Sequence, residues 1–221
     1  MEIHRPQIKI RSIRFDPDAC TKVGPPQPRA NFLTNDCRVI IGPYPSDYTT
    51  THPGKLLDLY DYGVTHLVNL AKKYPDFPPE LNEDSFTIIR VPLTGGKPPS
   101  QKAGLELVNR LIDIYLNEPD SIIYIHCMGG HGRAGTIAAL FIGTLKHLKA
   151  DLAIKWVNDA RNTREDTSRN FIPTPETQLQ VNFLIKMLGV NEWADKTKLD
   201  RSDQRWLERV KAERRQRKTD E

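Results

Sequence analysis

Ser121-Ile122-Ile123-Tyr124-Ile125-His126-Cys127-Met128-Gly129-Gly130-His131-Gly132-Arg133-Ala134-Gly135-Thr136 is the stretch from which the fold is read. An apolar run of strand length ends in a glycine-rich turn. A second apolar stretch, Ile137 to Leu145, follows at helix length. The turn therefore joins the carboxyl end of a buried strand to the first turn of a helix. A helix N-terminus exposes unpaired backbone N–H groups and the positive end of a dipole, so this loop is a ready anion cradle.

The residues inside the loop give the cradle a chemistry. Gly129, Gly130 and Gly132 let the backbone approach a ligand closely. Arg133 offers a planar fork that grips two phosphate oxygens at once. Cys127 lies at the base, where the N–H groups and Arg133 favour its thiolate. A thiolate beneath a bound phosphate is placed for in-line attack, giving a phosphocysteine that water then splits. Thr136 is close enough in sequence to donate its hydroxyl to that thiolate and ease its departure.

His-Cys-x5-Arg followed by x-Gly-Thr resembles the signature of the cysteine-dependent protein tyrosine phosphatase superfamily, and the compact order of elements is similar to its dual-specificity branch. The resemblance implies that Cys127 is the nucleophile and Arg133 the clamp on phosphate and transition state. It implies that His126 helps favour the thiolate and that Met128, Gly129, Gly130, His131, Gly132 and Arg133 supply the phosphate-binding N–H groups. Three framing glycines, Gly129, Gly132 and Gly135, coincide by chance roughly three times in ten thousand at average glycine usage. Rival readings fit less well. A nucleotide-binding loop of Gly-x4-Gly-Lys-Ser/Thr form needs a lysine that Gly130 to Thr136 lacks. A zinc site on His126, Cys127 and His131 lacks the usual spaced ligand pairs. No metal or cofactor is expected.

Along the chain, strands alternate with helices. Arg38 to Gly42, Val64 to Leu70 and Phe86 to Leu93 read as strands, and Ile8 to Ile13 as a further edge strand. His52 to Tyr62 reads as a helix with Leu56, Leu57 and Tyr60 on one face and Gly63 as its stop. Ser100 caps a helix through Tyr115, with Leu105, Val108, Leu111 and Ile112 at helical spacing. Two more helices span about 150–161 and 175–189. The alternation implies an α/β fold with a mostly parallel central sheet. The resemblance adds a count of four or five strands. The expected organisation is an N-terminal arm over 1–36 containing the extended connector Pro25-Pro26-Gln27-Pro28, a phosphatase-like domain over 37–190 and a basic helix or tail over 191–221.

Composition bounds the rest. The chain has 221 residues and a net charge of +4. No apolar run reaches the roughly 18 residues of a membrane span, and the N-terminus has no signal-peptide core. Three cysteines form no disulfide framework, so Cys20 and Cys37 read as ordinary thiols and the setting as intracellular, cytoplasmic or nuclear. Ten Lys or Arg residues fall between Lys196 and Lys218. They read either as a solvated helix face or as an arm for an anionic partner.

The pattern departs from the family at one place. There, an aspartate on the loop before the long helix protonates the leaving oxygen. Here that loop is Pro92-Leu93-Thr94-Gly95-Gly96-Lys97-Pro98-Pro99-Ser100, with no carboxylate. Thr94 or Gly95 stands at the acid's position, and a missing general acid costs about 10²–10⁴ in rate. Asp76, Glu165, Asp166 and His131 are the substitutes the sequence offers. Lys97 reads as an anion contact or as a solvated turn residue. Thr174-Pro175-Glu176-Thr177-Gln178-Leu179-Gln180 resembles the segment that places a glutamine, here Gln180, near the hydrolytic water. It reads equally as a surface helix with Thr174 as cap and Pro175 at its first position. The expected activity is hydrolysis of a phosphomonoester, on phosphorylated protein first. A phosphoinositide or inositol phosphate is the alternative, and a phospho-ligand-binding pseudophosphatase the third reading.

Overall fold

The computed structural model describes residues 15–19, 24–45, 55–168 and 171–190. The fold belongs to the first of two compact units, residues 1–189; the second is 190–221. The predicted edge strand at Ile8 to Ile13, Cys20 and the basic stretch from Lys196 lie outside the described residues.

β5 (Ile123–His126) is the centre of the sheet, and all four of its residues are buried. A strand buried on both faces reads as a continuous apolar run, as this one does. It pairs in parallel with β2 (Val39–Gly42) on one side and β3 (His66–Asn69) on the other. β4 (Thr87–Arg90) adds in parallel to β3. β1 (Asn31–Phe32) closes the other edge, antiparallel to β2. The order is β1-β2-β5-β3-β4, a five-stranded mixed sheet that is parallel except at one edge. In the register, Gly42 and Asn69 both stand opposite His126. Three strands thus end together, and the loops that follow them gather at one end of the sheet, where parallel sheets bind ligands.

The helices are α1 (Lys55–Asp61), α2 (Gln101–Asn117), α3 (Gly132–Leu145), α4 (Ala150–Arg161) and α5 (Gln178–Leu188). α3 is buried almost all round and packs against α2, α4 and α5, as its lack of a polar stripe requires. Ser100 caps α2 by accepting from Ala103 N–H at 3.2 Å. Gly63, with φ of +93°, ends the turn after α1 in a conformation suited to glycine.

Several sequence expectations are corrected. α1 buries Leu56 and Leu59, while Tyr60 stays half exposed with its ring edge-on to Phe86 at 6.0 Å. α2 turns Gly104, Leu107, Val108, Leu111 and Ile114 inward and leaves Leu105 exposed. The rotation follows from a close contact: a Cβ at Gly104 would lie 2.8 Å from the Phe183 ring and 3.3 Å from Pro99. α5 begins three residues later than read, because Thr177 rather than Thr174 is the cap and Gln180 completes the capping box. The Thr174–Pro175 peptide is cis and lies outside the helix. Cys37, read as a free thiol, is disulfide-bonded, whereas Cys127 is free; spacing alone does not reveal pairing.

The described part of the predicted arm belongs to the domain. Phe15 is buried with its ring edge-on to Trp156 at 6.0 Å. Gln27, inside the supposed connector, is buried, and its Oε1 accepts from Tyr124 Oη at 3.0 Å. Trp156 Nε1 donates to Leu33 O at 2.9 Å.

Gly42 has no room for a side chain, since an added Cβ would lie 1.8 Å from Tyr124 Oη. Tyr124 is fully buried and shares its hydroxyl between Gln27 Oε1 and Pro43 O, so it has nowhere to retreat. Gly42→Ala is therefore expected to destabilise by about 3 kcal/mol, the upper end of core overpacking. Urea unfolding of the two proteins measures it, and a change below about 1 kcal/mol would contradict this packing.

Candidate active site

The loop from Cys127 to Gly132 leaves β5 and enters α3 at the gathered end of the sheet. Gly130 makes its turn with φ of +70°, the left-handed region that glycine occupies without strain. A Cβ there would also lie 2.6 Å from the carbonyl carbon and oxygen of Gly42. The loop is thus laid directly on the backbone that follows β2. Two hydrogen bonds fasten it. Tyr44 N–H donates to Met128 O at 3.2 Å, and Arg164 Nη2 donates to Gly130 O at 3.0 Å. Arg164 is buried and also donates from Nε to Asn31 Oδ1 at 2.8 Å, tying the loop to edge strand β1. Burial lowers the Arg164 pKa to about 10, which leaves it charged at neutral pH.

Two of its carbonyls, those of Met128 and Gly130, are taken up in this way. Among the described residues, the N–H groups of Met128, Gly129 and Gly130 donate to no backbone carbonyl. His131 occupies the N-cap position of α3 and makes no side-chain cap bond. Cys127 is free and 3% exposed at the base of this turn.

Arg133 is half buried, and its guanidinium is fixed by one nitrogen. Nη1 donates to Leu70 O at 3.2 Å and to Leu93 O at 3.0 Å, the loops after β3 and β4. Among the described residues Nε and Nη2 make no hydrogen bond, leaving the paired edge of the fork for an anion. Two other loop residues sit differently from expectation. Thr136 is buried and donates to Gly132 O at 2.7 Å, so its proton is directed at the helix backbone rather than at Cys127. His131 is buried, with ring atoms against Gly129, and adds no exposed charge to the rim.

His126 is fully buried between two rings, Tyr44 at 5.7 Å and Tyr124 at 6.0 Å. Burial pulls its pKa from 6.5 down to about 3, opposed by the Cys127 backbone and assisted by the Arg133 charge. It is neutral at physiological pH, so it cannot favour a thiolate by its own charge.

The segment before α5 comes against the cradle. A Cβ at Gly135 would lie 2.2 Å from the Thr174 methyl group, and one at Gly132 would lie 2.9 Å from Glu176 Oε2 and 3.1 Å from Gln180 Nε2. Gln180 is fully buried. Its Oε1 accepts from Glu176 N–H at 3.0 Å and Thr177 N–H at 3.2 Å, while Nε2 makes no hydrogen bond within the described protein. Thr94 and Lys97 are exposed on the loop after β4. Of the carboxylates considered from sequence, Asp76 is 71% exposed and pairs with Lys73 at 3.3 Å. Glu165 is exposed, and Asp166 turns to Ser168 N–H and Arg29. Sequence reading missed Arg164, Asn31 and Glu176, which meet the loop from distant positions without any motif of their own.

The family model of the Swiss Army Knife DSP-PTPase phosphatase domain matches residues 49–179. Protein tyrosine phosphatase type IVA 3 of Mus musculus is 31% identical over 104 residues, covering 47% of this chain and 59% of that protein. The chain thus spans about three-fifths of that relative's length. PRL-1 phosphatase of Drosophila melanogaster is 28% identical over 125 residues, 56% of this chain and 68% of that protein. The fold is shared with the crystal structure of Tk-PTP in the active form, at a TM-score of 0.56 and 24% identity, covering 72% of this chain and 96% of that one.

Burial of neutral His126 makes stability depend on pH. The folded pKa lies below the unfolded one, so the unfolded chain binds the extra proton between about pH 6.5 and pH 3. The contribution is present above 6.5 and is lost as pH falls. Between pH 7 and pH 5 the expected loss from this group is about 2 kcal/mol. His126→Asn should remove that part of the slope in unfolding measured at the two pH values. An unchanged slope would contradict a buried neutral His126.

Proposed function

Because the chain belongs to the DSP-PTPase phosphatase family, we propose that it hydrolyses phosphomonoesters in two steps through phospho-Cys127. Phosphate docks on the backbone N–H groups of the loop, those of Met128, Gly129 and Gly130 among them, and the Nε and Nη2 edge of Arg133 binds two of its oxygens. Cys127 thiolate attacks phosphorus from below; the S–P bond forms and the ester P–O bond breaks. Water then attacks phosphorus on the other side and returns the electron pair to sulfur. The observation that carries this reading is Arg133 itself, held by Nη1 on two carbonyls while, among the described residues, Nε and Nη2 make no hydrogen bond. Its fixed position supplies electrostatic stabilisation without reorganisation as charge develops.

The preferred substrate class is phosphorylated protein. Relatives carry the name protein tyrosine phosphatase. Met128 at the loop is 53% exposed and presents an apolar face rather than a charge. An inositol phosphate would call for more positive charge around the loop; Lys97 is exposed on the loop after β4, but His131 is buried. Gln180 Nε2, aimed at Gly132, is in position to hold the water of the second step. Thr136 can serve the leaving thiolate only by turning its hydroxyl away from Gly132 O.

Cys127→Ser should abolish turnover of p-nitrophenyl phosphate while vanadate still binds. Arg133→Ala should lower kcat/KM by about 10²–10³, the cost of one lost oxyanion donor group. Wild-type turnover in Cys127→Ser would refute the mechanism.

A further inference from the structure

We propose that Glu176 is the proton donor and acceptor of this site, in place of the absent aspartate; the inference rests on the phosphatase reading above. The leaving oxygen of an alkyl ester needs a proton, and the loop from Pro92 to Ser100 holds no carboxylate to give one. Glu176 comes to the edge of the loop from the segment before α5. Its Oε2 would lie 2.9 Å from a Cβ on Gly132, the residue beside Arg133 at the cradle's edge. It is half buried.

Its backbone is braced, which a proton-transfer group requires. Asn158 Nδ2 donates to Thr174 O at 2.6 Å, and Arg161 donates from Nη1 to Thr174 Oγ1 at 2.8 Å and to Ile172 O. Gln180 Oε1 takes the Glu176 N–H. Thr177 Oγ1 donates to Gly96 O at 2.8 Å, joining the Glu176 segment to the carboxylate-free loop. Gly135 and Gly132 permit this approach, since a Cβ on either would collide with Thr174 or Glu176. Gly135 thus makes room for Thr174, and Gly132 for Glu176, at the edge of the loop.

The steps balance. As Cys127 Sγ bonds to phosphorus and the ester P–O bond breaks, the Glu176 carboxyl gives its proton to the departing oxygen, and a neutral alcohol leaves. The resulting carboxylate then takes a proton from the attacking water as the O–P bond forms. The S–P bond breaks with its electron pair returning to sulfur, and phosphate departs.

The test is a leaving-group series on the full chain: p-nitrophenyl, phenyl and ethyl phosphate, with wild type, Glu176→Gln, Glu176→Asp, Asp76→Asn and Cys127→Ser. Glu176→Gln is expected to lose about 10²–10³ in kcat/KM on ethyl phosphate but under about tenfold on p-nitrophenyl phosphate. It should also lose the basic limb of the pH–rate profile. Glu176→Asp should fall between, and Asp76→Asn should match wild type. Equal losses on all three esters, or none, with Cys127→Ser inactive, would overturn the Glu176 assignment and leave the phosphatase reading standing. A steepened series in Asp76→Asn alone would also overturn it. Full activity in Cys127→Ser would remove both. Should Glu176→Gln not fold, an unchanged leaving-group slope in Glu176→Asp is the overturning result.

Discussion

Gly130 rests on Gly42, backbone against backbone, and Gly42 in turn rests on the hydroxyl of Tyr124. Neither glycine has space for a Cβ, so a central strand, a strand end and the loop after β5 are stacked at very short distances. The left-handed turn at Gly130 follows from that stack, as does the outward aim of its carbonyl at Arg164. Two of the loop's carbonyls, those of Met128 and Gly130, are taken up by Tyr44 and Arg164, and among the described residues the N–H groups of Met128, Gly129 and Gly130 donate to no backbone carbonyl. The anion cradle is therefore a consequence of packing in a buried sheet rather than of any polar residue placed to make it.

The charges around the cradle are arranged to leave one edge open. Arg164 is buried and committed to Asn31 and Gly130, and serves the loop's shape. Arg133 is committed at one nitrogen only, which fixes its plane by carbonyls from two separate loops. His126 is held neutral between two tyrosines and acts as a packed wall. Cys127 and Arg133 sit on short extensions of rigid elements, β5 and α3, and Glu176, beside Gly132, is carried on a segment tied to α4, α5 and the loop after β4. Each group is positioned by bonds made away from the ligand, and preorganisation of this kind lowers the cost of reaching the transition state.

Local pattern made most of this legible from sequence. The apolar run before His126, the glycines after it and the apolar stretch beyond announce strand, turn and helix because each is short-range. Ser100 as a cap and Gly63 as a stop are equally local. What failed was tertiary. Leu105 fits the stripe of α2, but Gly104 needs the close approach to Phe183, and that rotates the helix. Tyr60 fits the stripe of α1, but Leu59 is the residue that the core takes. Asn31, Arg164 and Glu176 lie far from Cys127 in sequence, and only the folded chain brings them to its loop. The missing aspartate was visible at once; the carboxylate standing opposite its loop was not.

The central claim is a covalent phosphoryl group on Cys127. Mixing enzyme with excess p-nitrophenyl phosphate, quenching in acid and mapping peptides by mass spectrometry tests it most directly. The account predicts the mass of one added phosphoryl group on the peptide containing Cys127, present in wild type and absent from Cys127→Ser. Turnover with an unmodified Cys127 peptide, or the same adduct on another residue, would contradict it.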